Sequence, residues 1–336
     1  GNLTERTSYF SGNYAQMWGG AVYFDQTGSG EGFFVSEHSM FSGNIAGGGN
    51  SQGGRGGAMY LAVDYAKIDS CTFDANACNG GQNVQGGAVF IDTSRSILSD
   101  TNWIDNSTFT GNRAVNGTSE SLGGALYADG SMRIRSCTFT RDNTASTKGG
   151  GVYIASTGDI SISGTLFVGN SAALGGDVWS DGTWSSMGYN RIAVYGTGSA
   201  NTSWLANPAP VSDKEDISWT SETFYGDNVL DDNIIDASKP PYIGSSLMTA
   251  EIRLKTIMLS EDANLSLEAR ATNIIPYSLR FQFPEFDERG VQRRVLSNGT
   301  GVPLDRGPLR FGGVWSPEEE PENPYTIAYI QISGVP

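Results

Sequence analysis

Histidine is nearly missing from this 336-residue chain: His38 is the only one. Cysteine is scarce, at three, and 21 Lys and Arg stand against 36 Asp and Glu. The cysteine spacings and the single histidine exclude the usual zinc frameworks, and no Ser-His-Asp or Cys-His pattern is present. An odd, sparse cysteine count is no disulfide framework. The net charge of −15 speaks against nucleic acid or an anionic membrane as partner, because both need basic patches. No apolar run is long enough to span a bilayer as a helix. Helix formers are sparse, and 45 glycines argue against long helices.

What is present is a repeat. Its first half is Phe-x-x-Asn, at Phe10/Asn13, Phe41/Asn44, Phe73/Asn76, Phe109/Asn112 and Phe167/Asn170, with a stretched copy at Phe139/Asn143 and a weaker one at Phe224/Asn228. Its second half is Gly-Gly, a small residue, an aliphatic and an aromatic, as in Gly19-Gly20-Ala21-Val22-Tyr23 and Gly86-Gly87-Ala88-Val89-Phe90. Diverged copies stand at Gly149 to Tyr153 and Gly175 to Trp179. Successive phenylalanines from 10 to 167 are 31, 32, 36, 30 and 28 residues apart. Such a period marks a solenoid, whose units bury apolar surface only against their neighbours. Short β-rich runs bounded by Gly, Asn, Ser and Asp make it all-β: a right-handed parallel β-helix with one repeat per coil.

Coils stack about 4.8 Å apart, so equivalent residues form ladders. Phe10, Phe41, Phe73, Phe109, Phe139 and Phe167 are expected to stack inside. Asn13, Asn44, Asn76, Asn112 and Asn170 are expected at a corner, bonded to the coils above and below and tolerating left-handed backbone angles. Val22, Met59, Val89, Leu126, Val152 and Val178 should face inward. Alternation then turns Tyr23, Tyr60, Phe90, Tyr127, Tyr153 and Trp179 outward as an aromatic row. Two readings of that row remain open: a ligand-binding surface, or a row covered by a neighbouring loop or the C-terminal region. Residues 47–55, 79–86 and 116–122 are expected to project as polar loops from one side of the stack.

Phe-x-x-Asn followed by Gly-Gly-Ala-aliphatic resembles the repeat of polymorphic outer-membrane protein and adhesin-like β-helices, over about residues 8–185. Met187-Gly188-Tyr189-Asn190-Arg191-Ile192 and Phe286 to Arg293 are similar to stretches near the end of bacterial surface β-helix proteins. The resemblance implies a pectin lyase-like fold, a secreted or bacterial cell-surface setting and often adhesion. It supplies no catalytic residues.

The sequence divides into residues 1–245, the β-helix with degenerate last coils, and residues 246–336, a β-rich cap or small sandwich-like domain. Candidate strands there include Ala250 to Ile257, Leu265 to Ala271, Ser278 to Phe283 and Tyr325 to Ile332. Trp184, Tyr189, Ile192, Val194 and Tyr195 are expected to form a last regular coil. Gly1 followed at once by a repeat reads as a cleavage scar on a mature or internal piece. Either residues 1–8 cap the open end, or further chain precedes them. Cys71 and Cys137 share one repeat position, with Ser107 between them, and are read with Cys78 as small buried hydrophobes. A Cys71–Cys78 bridge would strain a corner.

The functional expectation is a non-enzymatic adhesin-like protein that binds a glycan or a host or partner surface through its lateral face and loops. The alternative is a calcium-dependent polysaccharide lyase, and a third reading is a structural stalk. A lyase needs a basic residue beside a cation that neutralises a uronate. Arg133, Arg135, Arg141 and Lys148 are the basic candidates, and Asp64, Asp69, Asp92, Asp100 and Asp105 the acidic ones. No motif spacing groups them. Asp at turns is ordinary turn chemistry, and His38 reads as a surface or corner residue. No cofactor is assigned, with calcium left open.

Overall fold

The computed structural model describes residues 1–202 apart from 27–31, 48–52, 95–101, 116, 141–142, 193 and 199, together with 214–215, 296–297 and 300–301. Asp100, Arg141, the weaker repeat at Phe224/Asn228 and the 246 boundary lie outside the described residues.

Described strands pair in parallel and in register, coil on coil, which makes the chain a parallel β-helix. The exceptions are antiparallel pairs, Tyr195–Thr197 with Ala200–Thr202 and Leu296–Ser297 with Thr300–Gly301. Each coil places strands in three main sheets. The lateral sheet has seven, from Asn2–Arg6 through Phe33–Glu37, Tyr65–Asp69, Trp103–Asp105, Ser131–Arg135 and Asp159–Ser163 to Thr183–Gly188. The phenylalanine sheet runs from Tyr9–Ser11 to Leu166–Val168, then Arg191–Ile192 and Lys214–Glu215. The aromatic sheet runs from Val22–Asp25 to Tyr195–Thr197 and ends on the antiparallel strand. A narrower sheet from Tyr14–Ala15 to Thr144–Ala145 fills the corner after the asparagines.

The bore is apolar. Phe41, Phe73, Phe109, Phe139 and Phe167 are fully buried, and from Phe10 onward consecutive rings stack with centroids 4.5–5.0 Å apart. Ile68, Ile104, Ile134 and Ile162 meet them from the lateral sheet, and Val89, Leu126 and Val152 from the aromatic sheet. Stacking at the strand spacing lets each ring bury both faces.

Asparagines form a head-to-tail chain that is buried from Asn44 to Asn143. Each side-chain amide donates to the next carbonyl oxygen, from Asn13 through Asn44, Asn76, Asn112 and Asn143 to Asn170, at 2.8–3.0 Å. Asn143, of the stretched copy, keeps its place in the ladder. The left-handed residue is not the asparagine, as expected, but the one before it: Gly12, Gly43, Ala75 or Gly111, with φ between 55° and 64°, and Gly169 at 69°. The turn there needs positive φ one residue earlier, which leaves the Asn backbone free to run on as a strand.

A second polar ladder was not foreseen. At the corner after the lateral sheet, Thr7, His38, Ser70, Asn106, Ser136 and Tyr189 have φ of 49–62°, with Gly164 at the same place. The next residue turns its side chain inward and accepts a main-chain N–H from the coil before: Ser39 from Ser8, Ser107 from Cys71, Thr165 from Cys137 and Asn190 from Thr165. Cys71 and Cys137 occupy this hydroxyl position. Cys137 Sγ donates toward the carbonyls of Arg135 and Ile104, as Ser107 Oγ does toward Asp105. These two cysteines are therefore serine surrogates in a polar ladder rather than plain hydrophobes. All three cysteines are buried and unbridged.

Two further expectations change, and a third holds. Residues 1–8 form no cap; Asn2–Arg6 is a regular strand in register with Phe33–Glu37. Residues 79–86 and 117–122 do not project as solvated loops. Asn83–Gln85 and Glu120–Leu122 pair in parallel and enclose a satellite core of Ala46, Cys78, Val84, Ala114 and Ala145. Inserted residues can satisfy their main-chain groups by pairing with an insertion in the adjacent coil. The stretch Thr183 to Thr197 does make a further coil, with Trp184, Ile192 and Tyr195 in the core.

Candidate functional site

Tyr23, Tyr60, Phe90, Tyr127, Tyr153 and Trp179 occupy one register position on the aromatic sheet, on the face away from the bore. Their rings from Tyr23 to Tyr153 stack on one another with centroids 4.9–5.2 Å apart and interplanar angles of 3–20°. Ring faces inside the row are therefore occupied by neighbouring rings, and only edges and hydroxyls point outward. Tyr23 is half exposed (51 %), whereas Tyr60, Phe90, Tyr153 and Trp179 are buried.

The residue before each glycine pair contributes to that burial. Trp18, Arg55, Gln85, Leu122, Lys148 and Leu174 are bridged to one another from coil to coil beside the row. Gly19, Gly56 and Gly86 turn at positive φ, so the preceding side chain folds back toward the rings. The Arg55 guanidinium lies 5.2 Å from the Trp18 ring and 5.3 Å from the Phe90 ring, and Lys148 Nζ is 5.0 Å from that of Trp179. Leu122 and Leu174 pack with Tyr127, Tyr153 and Trp179. The signal was in the sequence: every one of these positions carries a long side chain.

Carboxylates fix the outer edges. Tyr23 donates to Asp25 at 3.1 Å, and burial with that carboxylate pushes its phenol up to about 12. Tyr153 donates to Asp181 at 2.6 Å, and the Trp179 indole donates to the other oxygen of Asp181 at 2.8 Å. Those two donors and Lys148 hold the Asp181 carboxyl below its ordinary value, against the opposing effect of burial.

The basic and acidic candidates do not converge. Arg135 holds Asp105 through two hydrogen bonds, Nε to Oδ1 at 2.8 Å and Nη2 to Oδ2, and lies 5.0 Å over the Trp103 ring. Burial nonetheless pushes Asp105 up to about 6, outweighing the guanidinium. Lys148 reaches Asp181 at 3.4 Å, on the other side of the helix. Asp64 accepts from Gly32 N–H of the preceding coil at 2.9 Å, a tie between coils, and Asp92 accepts from Ser94 N–H at 2.9 Å, which is turn chemistry. Asp69 belongs to an ion ladder with Lys67, Glu37 and Arg6 along the lateral sheet. His38 sits at a corner, and burial lowers its pKa. Among the described residues, no three His, Cys, Asp or Glu side chains are placed to share a metal ion.

The outer face of the lateral sheet carries a second set of aromatics. Phe33 and Tyr65 are register partners, partly exposed, with centroids 5.6 Å apart and planes tilted by 43°. Trp103, also partly exposed, lies in the next outward row between Lys67 and Arg133. Tilting leaves part of each Phe33 and Tyr65 ring face unmatched, unlike the closed stack of the aromatic sheet. Sequence reasoning passed over this set because it recurs in neither half of the repeat.

Residues 7–25 and 106–129 match the Chlamydia polymorphic membrane protein repeat. The two segments hold the same parts, from the corner residue or the Phe-x-Gly-Asn turn to the aromatic strand. No curated protein and no solved structure gives a significant match. Two segments of this parallel β-helix are thus similar to the polymorphic membrane protein repeat.

Proposed function

We propose that this is a non-enzymatic, adhesin-like protein of the bacterial cell surface that engages a glycan or protein surface through a lateral face of its β-helix. The matched repeat is that of a membrane-protein family, which supports the setting. The observation that carries the choice of face is the partly exposed, tilted pair Phe33 and Tyr65 beside Trp103 on the lateral sheet. Recognition of a sugar ring or an apolar side chain needs an accessible aromatic face, and Tyr, Trp and Arg dominate binding hot spots. Arg133 supplies the cation next to Trp103 in register. The row from Tyr60 to Tyr153 spends its ring faces on its own stack and serves first as an outer ladder.

Adhesion of protein-coated beads to host cells, together with a glycan array, tests the proposal. The double variant Tyr65→Ala/Trp103→Ala should lose at least about tenfold in binding, at a retained circular dichroism spectrum. A Thr183→Ala control on the exposed end of the same face should bind normally. Unchanged binding by the double variant would remove the lateral sheet from the proposal. Loss on Tyr23→Ala alone would move the contact to the aromatic row.

A further inference from the structure

We infer that Asp105 and Arg135 form a clasp over Trp103, which withholds that ring face from a ligand until the pair is broken. The clasp stands on geometry, and its consequence for binding rests on the adhesin reading. Asp105 follows Trp103 by two residues, so both point outward from one strand of the lateral sheet. The register partner of Asp105 in the next coil is Arg135. One guanidinium makes both contacts. Its Nε donates to Asp105 Oδ1 at 2.8 Å and its Nη2 to Oδ2, while Cζ lies 5.0 Å from the Trp103 ring centroid. A planar fork held at two points cannot leave the indole without losing both bonds.

The closed arrangement carries two penalties. Asp105 is 4 % exposed, and its register partner in the preceding coil is Asp69, a second carboxylate. Trp103 Nε1 is buried and has no hydrogen-bond partner among the described residues. A buried donor left unsatisfied is destabilising, and water relieves it. Opening the clasp therefore has something to gain.

Acid is the natural trigger. The strand before Asp105 presents Lys67 and Asp69, and the strand after it Arg133 and Arg135. Lys67 is engaged by Glu37 and Asp69, which leaves Arg135 to balance Asp105. At the corner Asn106 turns its amide to Asp69, and Glu37 and His38 stand one coil beyond. Burial, with Asp69 adding to it, pushes the Asp105 carboxyl up to about 6 against the pull of the guanidinium. Above that value the carboxylate is charged and the clasp is closed. Below it a neutral acid faces Arg135, whose charge is then better placed in water at the end of its flexible stem. Its departure bares the indole face beside Phe33 and Tyr65, so the lateral surface binds more strongly in mild acid.

Solvent access to Trp103 tests the clasp without any ligand. The full chain is labelled with 5-fluorotryptophan, and the Trp103 resonance is assigned by its loss in Trp103→Phe. A neutral nitroxide in solution should broaden this line at least about threefold more at pH 5 than at pH 8. Asp105→Asn and Arg135→Met should show the acid level of broadening at both pH values. Adhesion of coated beads to fixed host cells should rise at least about threefold between the same two conditions, and Arg135→Met should adhere at the higher level throughout. A line whose broadening ignores pH, or an Asp105→Asn chain as protected as the native one, would overturn the clasp. Opening with no gain in adhesion would overturn its control of binding. Adhesion absent at both pH values would sink the adhesin reading together with that control, while the nitroxide measurement still decides the clasp. Should Asp105→Asn fail to fold by circular dichroism, Arg135→Met is read in its place.

Discussion

Asn170 donates its side-chain amide to Asp177 Oδ1 at 2.8 Å, and the asparagine ladder ends there. Each earlier amide points to the next coil, so a directed chain of donors needs a final acceptor. Asp177 stands where the repeats at 21, 58, 88 and 125 have alanine. Its second oxygen accepts the main-chain N–H of Val194 at 2.9 Å. The diverged Gly-Gly-Asp copy is thus a terminator of the ladder and a tie to the following coil.

Asp177→Ala should cost about 1–3 kcal/mol, because two part-buried donors lose their acceptor. Asp177→Asn should fall between it and the native chain, since its amide offers one acceptor and turns a donor toward another. Urea denaturation followed by circular dichroism measures both. Equal stability of the alanine variant would show that water replaces the carboxylate.

Positive φ and close approach are separable demands on small residues. At Gly43 an added Cβ meets nothing within 4 Å, so Gly43→Ala should cost only the left-handed backbone term, about 1 kcal/mol. Ala75 already bears that strain at φ 55°, and Ala75→Gly should stabilise by up to about 1 kcal/mol. At Gly87 an added Cβ would stand 1.9 Å from the Gly124 carbonyl oxygen. Gly87→Ala should therefore cost well over about 3 kcal/mol or abolish folding, because main chain cannot move aside without breaking the ladder. Thermal melts of the three variants check the order.

Glu5 turns inward at a position that Ile68, Ile104, Ile134 and Ile162 fill in later coils, and burial pushes its carboxyl up to about 7 despite hydrogen bonds from Ser36 and Ser39. Asp105 is raised to about 6. Both are acids with folded pKa above their ordinary values, so the folded chain holds more protons than the unfolded one. Their contribution is full below about pH 4 and is lost as pH rises toward 7. Glu37 and Asp181, held low, act in the opposite sense in the acid range, and His38, whose pKa burial lowers, opposes the trend below its ordinary value of 6.5, one group against the two carboxyls. The midpoint of thermal unfolding should accordingly be higher at pH 5 than at pH 8. Glu5→Gln should flatten that slope, and an unchanged slope would exclude Glu5 as its source.

Cys137→Ser should leave stability within about 1 kcal/mol of the native value, because the hydroxyl can keep the bonds to Arg135 and Ile104 carbonyls. Cys137→Val should lose more, having no donor and one extra branch in a closed corner. Denaturant midpoints of the pair distinguish a serine surrogate from a hydrophobic filler.

Much of the coil was legible in one dimension. Recurrence of Phe, Asn and Gly-Gly at about thirty-residue intervals fixed the stacking, because only residues at equivalent positions in adjacent coils can form ladders. Alternation after each glycine pair separated Val89 from Phe90, bore from outer face. Other features depended on what lies beside a residue rather than what recurs in the string. The hydroxyl ladder varies as Ser, Cys, Thr and Asn, since a single hydrogen-bonding atom is all the corner requires. Insertions at 79–86 and 117–122 became strands because each found the other at the neighbouring coil. The aromatic row was predictable as a row, but whether its ring faces stay open depends on stacking distance and on Arg55, Lys148 and Leu122 folding over it. Sequence by itself determined the coil and its ladders, through spacing; tertiary structure alone decided which outward faces remain available, because exposure depends on what packs from outside the repeat.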